Sequence, residues 1–248
     1  MNKRYIFIGD VHGCYEEVSR LLMKVKPTKK DEVYGVGDFL DRGPAADQCI
    51  NLWMEQGYKA VLGNHDKRFI DWYEGKTVDF AEGFERTIEI LHKDKRCINF
   101  LMNLPYLIEL PQIKVILVHG AMDVNIDTAQ NIENARNKKN EDIYLRGRYI
   151  NKTNIGQYQY VPLGQETTED ILWVNQWNEP DTIVYGHTPH PDTPIIRHLN
   201  TFGIDGGGVY GGYFTALIFE EGKGWYYESV KADTSYWKRA EGKKIVII

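Results

Sequence analysis

Short apolar runs along this chain stop abruptly on polar residues. Tyr5-Ile6-Phe7-Ile8-Gly9 stops at Asp10 and His12. Val33-Tyr34-Gly35-Val36-Gly37 stops at Asp38, with Asp41 and Arg42 just beyond. Ala60-Val61-Leu62-Gly63 meets Asn64, His65 and Asp66. Val115-Ile116-Leu117-Val118 meets His119, and Ile183-Val184-Tyr185-Gly186 meets His187. Runs of this length, β-branched or apolar and closed by glycine or a polar residue, read as buried strands. Helical spacing separates the first of them. Val18, Leu21, Leu22 and Val25 fall at i, i+3, i+4 and i+7, and Pro27 ends the run. After Pro44, Ile50, Trp53 and Met54 repeat the spacing, and Gly57 stands where a C-terminal glycine belongs. The order β-α-β-α-β predicts a parallel sheet covered by helices, hence an α/β domain.

Farther along, residues 66 to 104 read as mostly helical, with Phe69, Ile70 and Tyr73 on one face. A strand around Tyr106 to Leu110 leads through the Pro111-Gln112 turn to the His119 strand. Residues 123–180 are polar and weakly periodic, with a solvated helix over Asn131 to Asp142 and a loop or loose hairpin over Lys152 to Thr168. We read them as a cap-like insertion over the site within a single domain, 1–248. Four strands follow: Ile195-Ile196, Thr201 to Ile204, Tyr213 to Phe219 and Trp225 to Val230. Tight turns at Gly206-Gly207-Gly208 and Gly222-Lys223-Gly224 punctuate them, and they are predicted to form a second sheet packed on the first. The tail from Lys238 to Ile248 is part basic and part apolar and carries no readable chemistry.

Composition narrows the function. With 248 residues, 42% apolar and 26% charged, the chain has material for a sizeable core. A net charge of -5 argues against a partner that presents many phosphates, such as long nucleic acid. Three scattered cysteines, Cys14, Cys49 and Cys97, give no disulfide framework and suit a reducing compartment. No apolar stretch approaches a membrane span. Met-Asn-Lys-Arg runs straight into the first strand, with no room for a signal peptide. A cytoplasmic protein without a membrane partner is expected.

In α/β sheets, ligands gather where strands end and loops begin. A single Asp after a strand is ordinarily a turn or cap residue, and a single His a hydrogen-bonded core residue. Six potential ligands at five strand ends, Asp10, His12, Asp38, Asn64, His119 and His187, describe a site instead. They offer nitrogen and oxygen, no thiolate, and one carboxylate able to bridge. That set suits two divalent ions of Mn, Fe or Zn, Mn foremost, better than Ca or Mg. Cys14 is expected to pack at the start of the first helix, and His190 and His198 to be surface or loop residues. Tyr158, Tyr160, Trp173 and Trp177 either stack a base or hold the insertion down.

These residues carry a resemblance. Gly9-Asp10-Val11-His12-Gly13, Gly37-Asp38-Phe39-Leu40-Asp41-Arg42-Gly43, Gly63-Asn64-His65-Asp66, Val118-His119-Gly120 and Gly186-His187-Thr188 resemble the metallophosphoesterases, and more narrowly their phosphoprotein-phosphatase branch. Asp205-Gly206-Gly207 through Tyr210-Gly211-Gly212 is similar to that family's closing glycine-rich strand pair. The resemblance implies a two-sheet sandwich flanked by helices in four αββα layers. It also implies a phosphoesterase with a dinuclear metal centre, acting by direct attack of metal-bound hydroxide. Asp10, His12 and Asp38 would hold one ion; Asp38, Asn64, His119 and His187 would hold the other. His65 would protonate the leaving oxygen, hydrogen-bonded by Asp41, and Arg42 would fork onto phosphate oxygens.

Asn64-His65-Asp66 departs from the Asn-His-Glu of protein phosphatases. It is similar to the nucleotide-directed members, the diadenosine tetraphosphate hydrolases and the phosphatase module of bacterial polynucleotide kinase/phosphatase, as is Lys67 to Thr87. Many relatives place a phosphate-binding Arg near Leu172-Trp173-Val174-Asn175, where this chain has Asn; Arg146 and Arg148 are the candidates to replace it. A nucleotide-type substrate such as diadenosine tetraphosphate therefore ranks ahead of a phosphoprotein or a nucleic-acid terminal phosphate. A non-catalytic phosphate-binding protein ranks last, because no motif is broken.

Overall fold

A computed structural model describes residues 2–80, 82–162 and 164–238; the tail reading beyond Lys238 lies outside the described residues. β1 (Arg4–Ile8) is followed by α1 (Tyr15–Val25), β2 (Glu32–Gly35), α2 (Ala46–Gln56) and β3 (Lys59–Ala60). The three strands pair in parallel, as the alternating order predicts. Three helices follow, α3 (Asn64–Tyr73), α4 (Phe84–Leu91) and α5 (Lys95–Met102). Next come β4 (Leu107–Leu110) and β5 (Val115–Val118), which pair antiparallel. The polar stretch contains α6 (Thr128–Arg136) and α7 (Glu141–Arg146), then β6 (Tyr149–Lys152), β7 (Tyr158–Tyr160) and β8 (Ile171–Leu172). The chain closes with β9 (Thr182–Tyr185), β10 (Ile196–His198), β11 (Thr201–Gly203), β12 (Tyr213–Glu220) and β13 (Gly224–Lys231).

Two five-stranded sheets result, in the orders β13-β12-β1-β2-β3 and β10-β11-β9-β5-β4. The strands read as unbroken apolar runs because both of their faces are buried. Tyr5 and Phe7 of β1, Tyr34 of β2, Val115 and Leu117 of β5, and Val184 of β9 meet between the sheets. Their neighbours Ile6, Ile8, Val33, Ile116 and Ile183 face the outer core, with Val18, Leu21 and Leu22 of α1 and Ile50 and Trp53 of α2. The period-2 alternation of a strand thus supplies two cores at once. Trp173 packs on Tyr185 at the outer side of the second sheet, with ring centroids 5.3 Å apart.

Three expectations are corrected. The four closing strands do not form a sheet of their own. β10 and β11 join β9 and β5, whereas β12 pairs antiparallel with β1 along Arg4–Ile8 and carries β13 with it. The glycine-rich turn around 206–212 lies between β11 in one sheet and β12 in the other, and spacing alone does not say which edge a strand will find. The insertion is more ordered than its polarity suggests. Its hairpin β6–β7 and β8 form a three-stranded sheet, anchored by buried Tyr144, Leu145, Ile150, Trp173 and Trp177. His190 is buried rather than a surface residue. Its two ring nitrogens lie 2.8 Å and 3.1 Å from the carbonyls of Thr193 and Gly203. No helix among the described residues is long and apolar enough to cross a membrane.

Candidate metal centre and active site

The strand ends of both sheets converge on one group of buried polar side chains. Asp10, His12, Asp38, Asp41, His65, His119 and His187 are all buried. The turns that aim them are unusual. His12, Asp38, Asp41, Arg42 and His187 all have positive φ, at 43°, 51°, 66°, 66° and 62°. Side-chain-bearing residues adopt this region only when their surroundings enforce it. Here the enforcement is a set of main-chain bonds between loops: His12 N donates to Asp38 O at 2.8 Å, Gly13 N to Phe39 O at 2.9 Å, and Gly186 N to His119 O at 3.0 Å. Two glycines make the convergence fit. A Cβ on Gly63 would lie 2.1 Å from Asp38 Oδ1, and one on Gly186 2.2 Å from Asp10 Oδ1.

The hydrogen bonds decide which ring atoms remain available. His12 Nδ1 donates to Leu40 O (2.8 Å) and His119 Nδ1 to Val36 O (2.7 Å), so in each ring Nε2 is the atom turned toward the cluster. His187 is reversed: Nε2 donates to Arg146 O (3.2 Å), leaving Nδ1. Asp38 Oδ1 accepts from His65 N at 3.0 Å. Its Oδ2 lies 3.4 Å from His119 Nε2, 3.6 Å from His12 Nε2 and 4.0 Å from His65 Nε2. Asn64 Oδ1 stands 3.0 Å from His119 Nε2. Ligand atoms of Asp38, His119 and His187 lie within 4.8 Å of one another, as do those of Asp38, His12 and His65. Imidazole nitrogens from separate strand ends, aimed at a shared carboxylate, are what divalent cations fit. Asp10 is fixed by His187 N–H, 3.2 Å and 3.1 Å from its two oxygens.

The charge balance points the same way. Burial lifts the Asp10 carboxyl well above its ordinary range, and the like charges of Asp205 and Asp38 add to it. Burial alone would depress His119, yet Asp38 and Asp10 push it up to about 9. The pocket calls for positive charge.

Beside this cluster His65 is held by a second set of groups. Its Nδ1 donates to Asp41 Oδ2 at 2.6 Å, and Asp41 Oδ1 accepts from Thr87 Oγ1 at 2.6 Å. Arg68, one turn along α3, bonds the same Asp41 oxygen. Burial would raise the Asp41 carboxyl, but His65, Arg68 and Thr87 outweigh it and hold it below the usual range. Arg42 lies with its guanidinium 5.2 Å from the Tyr210 ring centroid. Its Nη1 donates to His12 Nε2 at 2.6 Å and its Nη2 to Glu82 Oε1 at 2.7 Å. The first of these contacts and an ion at His12 Nε2 exclude each other.

The two arginines of the insertion part company. Arg146 is exposed and pairs with Asp142 at 2.9 Å, on the surface. Arg148 turns inward: it donates to His187 O, and Asp205, Tyr210, Arg42 and Asp10 are its charged and polar neighbours. Its Nε finds no partner. Asp66 does not face the ligand cluster. Its oxygens accept from Phe39 N (2.9 Å) and Gly63 N (3.1 Å), stapling the β2 and β3 loops together. The insertion's aromatics are structural, because Trp173 and Trp177 are buried and Tyr160 OH donates to Met122 O. Cys14 is buried at the start of α1.

Arg68, Glu82, Tyr210 and Asp205 are site residues the sequence reading passed over. Arg68 carried a usable signal, the i, i+3 spacing from His65 on a predicted helix. Glu82 sits in a turn far from any strand end, and Tyr210 in the glycine-rich turn before β12.

A family model for calcineurin-like phosphoesterases matches residues 3–224. A bis(5'-nucleosyl)-tetraphosphatase PrpE [asymmetrical] from Oceanobacillus iheyensis is 29% identical over 237 residues, covering 86% of this chain and 88% of its own. The protein of the same name from Anoxybacillus flavithermus is 28% identical, covering 88% and 91%. A crystal structure of a candidate diadenosine tetraphosphatase superposes with a TM-score of 0.75 at 23% identity, over 93% of this chain and 98% of that one. A serine/threonine phosphatase from Saccharomyces cerevisiae gives 0.59 at 14%, over 94% and 81%. Such distant superpositions speak for the fold. The fold, the convergence of metal-type side chains at its strand ends and the family match agree: this chain belongs to the calcineurin-like phosphoesterases, hydrolases of phosphate esters and anhydrides that depend on a dinuclear metal centre.

Proposed function

We propose that the chain hydrolyses dinucleoside polyphosphates such as diadenosine tetraphosphate. Asp10, His12 and Asp38 would hold one divalent ion, and Asp38, Asn64, His119 and His187 the other, with Mn the best fit to this N/O donor set. The observation that carries the metal assignment is Asp38 Oδ2, 3.6 Å from His12 Nε2 and 3.4 Å from His119 Nε2, two nitrogens that follow strands of different sheets. Bound divalent ions supply an acidified water as nucleophile and neutralise phosphoryl oxygens. The protein's own groups do the rest. Asp41, buttressed by Thr87 and Arg68, fixes the tautomer and angle of His65, leaving Nε2 to give a proton to the leaving oxygen. Arg42 and Arg148 clamp phosphate oxygens, Arg42 backed by the Tyr210 ring. The Arg146 side chain is left out of this clamp, because it pairs with Asp142 on the surface; its carbonyl serves instead to hold the His187 ring.

The names of the relatives, matched over most of both chains, support the dinucleotide over the phosphoprotein. A net charge of -5 also suits a small substrate gripped at a few points. The test compares kcat/KM for diadenosine tetraphosphate and for a phosphoserine peptide at one Mn²⁺ concentration. The dinucleotide is expected to win. A peptide advantage of tenfold or more would overturn the assignment.

A further inference from the structure

Glu82 puts a carboxylate on Arg42 and His65, the groups proposed above to meet the substrate's phosphate. It lies in the turn before α4, at a φ of 60° that a non-glycine residue adopts only under constraint. The constraint is visible: its carbonyl accepts from Arg42 N at 3.0 Å, tying this turn to the Asp41–Arg42 loop. From that anchor the side chain reaches three cationic or proton-bearing groups. Oε1 is 2.7 Å from Arg42 Nη2; Oε2 is 3.4 Å from His65 Nε2 and 3.8 Å from Arg68 Nη2. About a third of the side chain (34%) is solvent-exposed, so it has somewhere to go. Burial works against its charge, but Arg42 and His65 outweigh that and keep the carboxyl ionised below its usual range.

A carboxylate placed to support His65 would take Nδ1. Asp41 already holds that atom at 2.6 Å. Glu82 faces Nε2 instead, the nitrogen with work to do, and it also takes an outer nitrogen of the Arg42 fork. Both are the atoms a phosphoryl group would engage. We infer that Glu82 is a built-in competitor for the phosphate position, displaced when substrate enters and returning as product leaves. This rests on the roles given above to Arg42 and His65. Its consequence is a specificity that depends on charge: an anion held at one point, such as orthophosphate, displaces Glu82 poorly. A polyphosphate chain held at several points displaces it well.

The probe is inorganic phosphate, titrated calorimetrically into the Mn²⁺-loaded protein, alongside the KM and kcat of p-nitrophenyl phosphate. Glu82→Gln should tighten phosphate binding and lower that KM, each by about tenfold, through loss of a competing charge-assisted contact. Glu82→Gly, which suits the positive φ, should do the same and guards against a folding defect. Glu85→Gln removes the same charge from an exposed position in α4 and should leave both readouts at the wild-type value. Phosphate binding that is unchanged or weaker in both Glu82 variants would overturn the competitor. Because calorimetry reads the competition without any turnover, a wrong substrate class would not disturb the result.

Discussion

His65 has one ring nitrogen tied to Asp41 and one left for chemistry, and this division makes its role separable from metal binding. His65→Ala is expected to retain metal yet lose about 10²–10⁴-fold in kcat on an alkyl phosphate, whose leaving oxygen needs a proton. On p-nitrophenyl phosphate, whose leaving group departs unprotonated, the loss should be much smaller. Parallel losses on both esters, measured with metal content, would show that the ring serves binding or structure. At this scale the sequence was most legible where chemistry and pattern coincide. Asp10, Asp38, Asn64, His119 and His187 each stand at the polar end of an apolar run, so residue type and place could be read together. Arg148 and Arg146 stand two residues apart in one polar stretch, and α7 ends between them at buried, extended Gly147, with one arginine inward and the other in water. Asp66 shows the opposite case, a residue whose identity marks a subgroup but whose carboxylate faces the backbone of two loops.

Among the elements, the junction of β1, α1 and β2 is the most explicit piece of electrostatic construction outside the site. Arg4, at the start of β1, donates to the C-terminal carbonyls of α1, Val25 O at 3.1 Å and Lys26 O at 2.9 Å. It also grips Asp31 through Nε at 3.2 Å and Nη2 at 2.7 Å. Positive charge at a helix C-terminus complements the helix dipole. Asp31 accepts in addition from Thr28 N at 2.7 Å, closing the turn after Pro27. Burial would raise the Asp31 carboxyl, but Arg4 and Thr28 outweigh it and depress it. A depressed carboxyl contributes stability that is fully present above its unfolded value of about 4 and disappears as pH falls through the lower folded value. Asp31→Asn should therefore cost about 1–3 kcal/mol in urea unfolding at pH 7. The gap to wild type should close progressively below pH 4, and a gap that stays constant to pH 2.5 would contradict this account. Helices such as α1 and α2 were legible because their apolar period and stop signals agree. The small sheet of the insertion was not, because its strands have two to four residues and hold by a few buried anchors, Ile150 and Leu172 among them, too few to print a period.

Over the whole molecule, the pairing of strands was the least legible property. Apolar runs announce strands, but β11 stays with β9 while β12 crosses back to β1, whose partners stand some two hundred positions away. The early β-α-β-α-β order escaped this ambiguity, because a parallel strand reached through a helix has few places to go.

That arrangement of sheets has a mechanical consequence. Asp10, His12, Asp38 and Asn64 extend from strands of one sheet, and His119 and His187 from strands of the other. Any ion shared between Asp38 and the latter two would rivet the sheets together at their common edge, much as a bolt closes two plates. It would oppose in particular the hinge-like parting of the sandwich, the motion that also admits water to Tyr5, Phe7 and Leu117. Removing divalent ions with a chelator should then lower the urea midpoint, the unfolding free energy falling by about 2.7 kcal/mol relative to protein kept at a hundred times the dissociation constant. Amide hydrogen exchange should rise first at Gly120 and Gly186, the backbone beside the rivet on the second sheet. Equal midpoints with and without measured metal would mean that the two plates need no bolt.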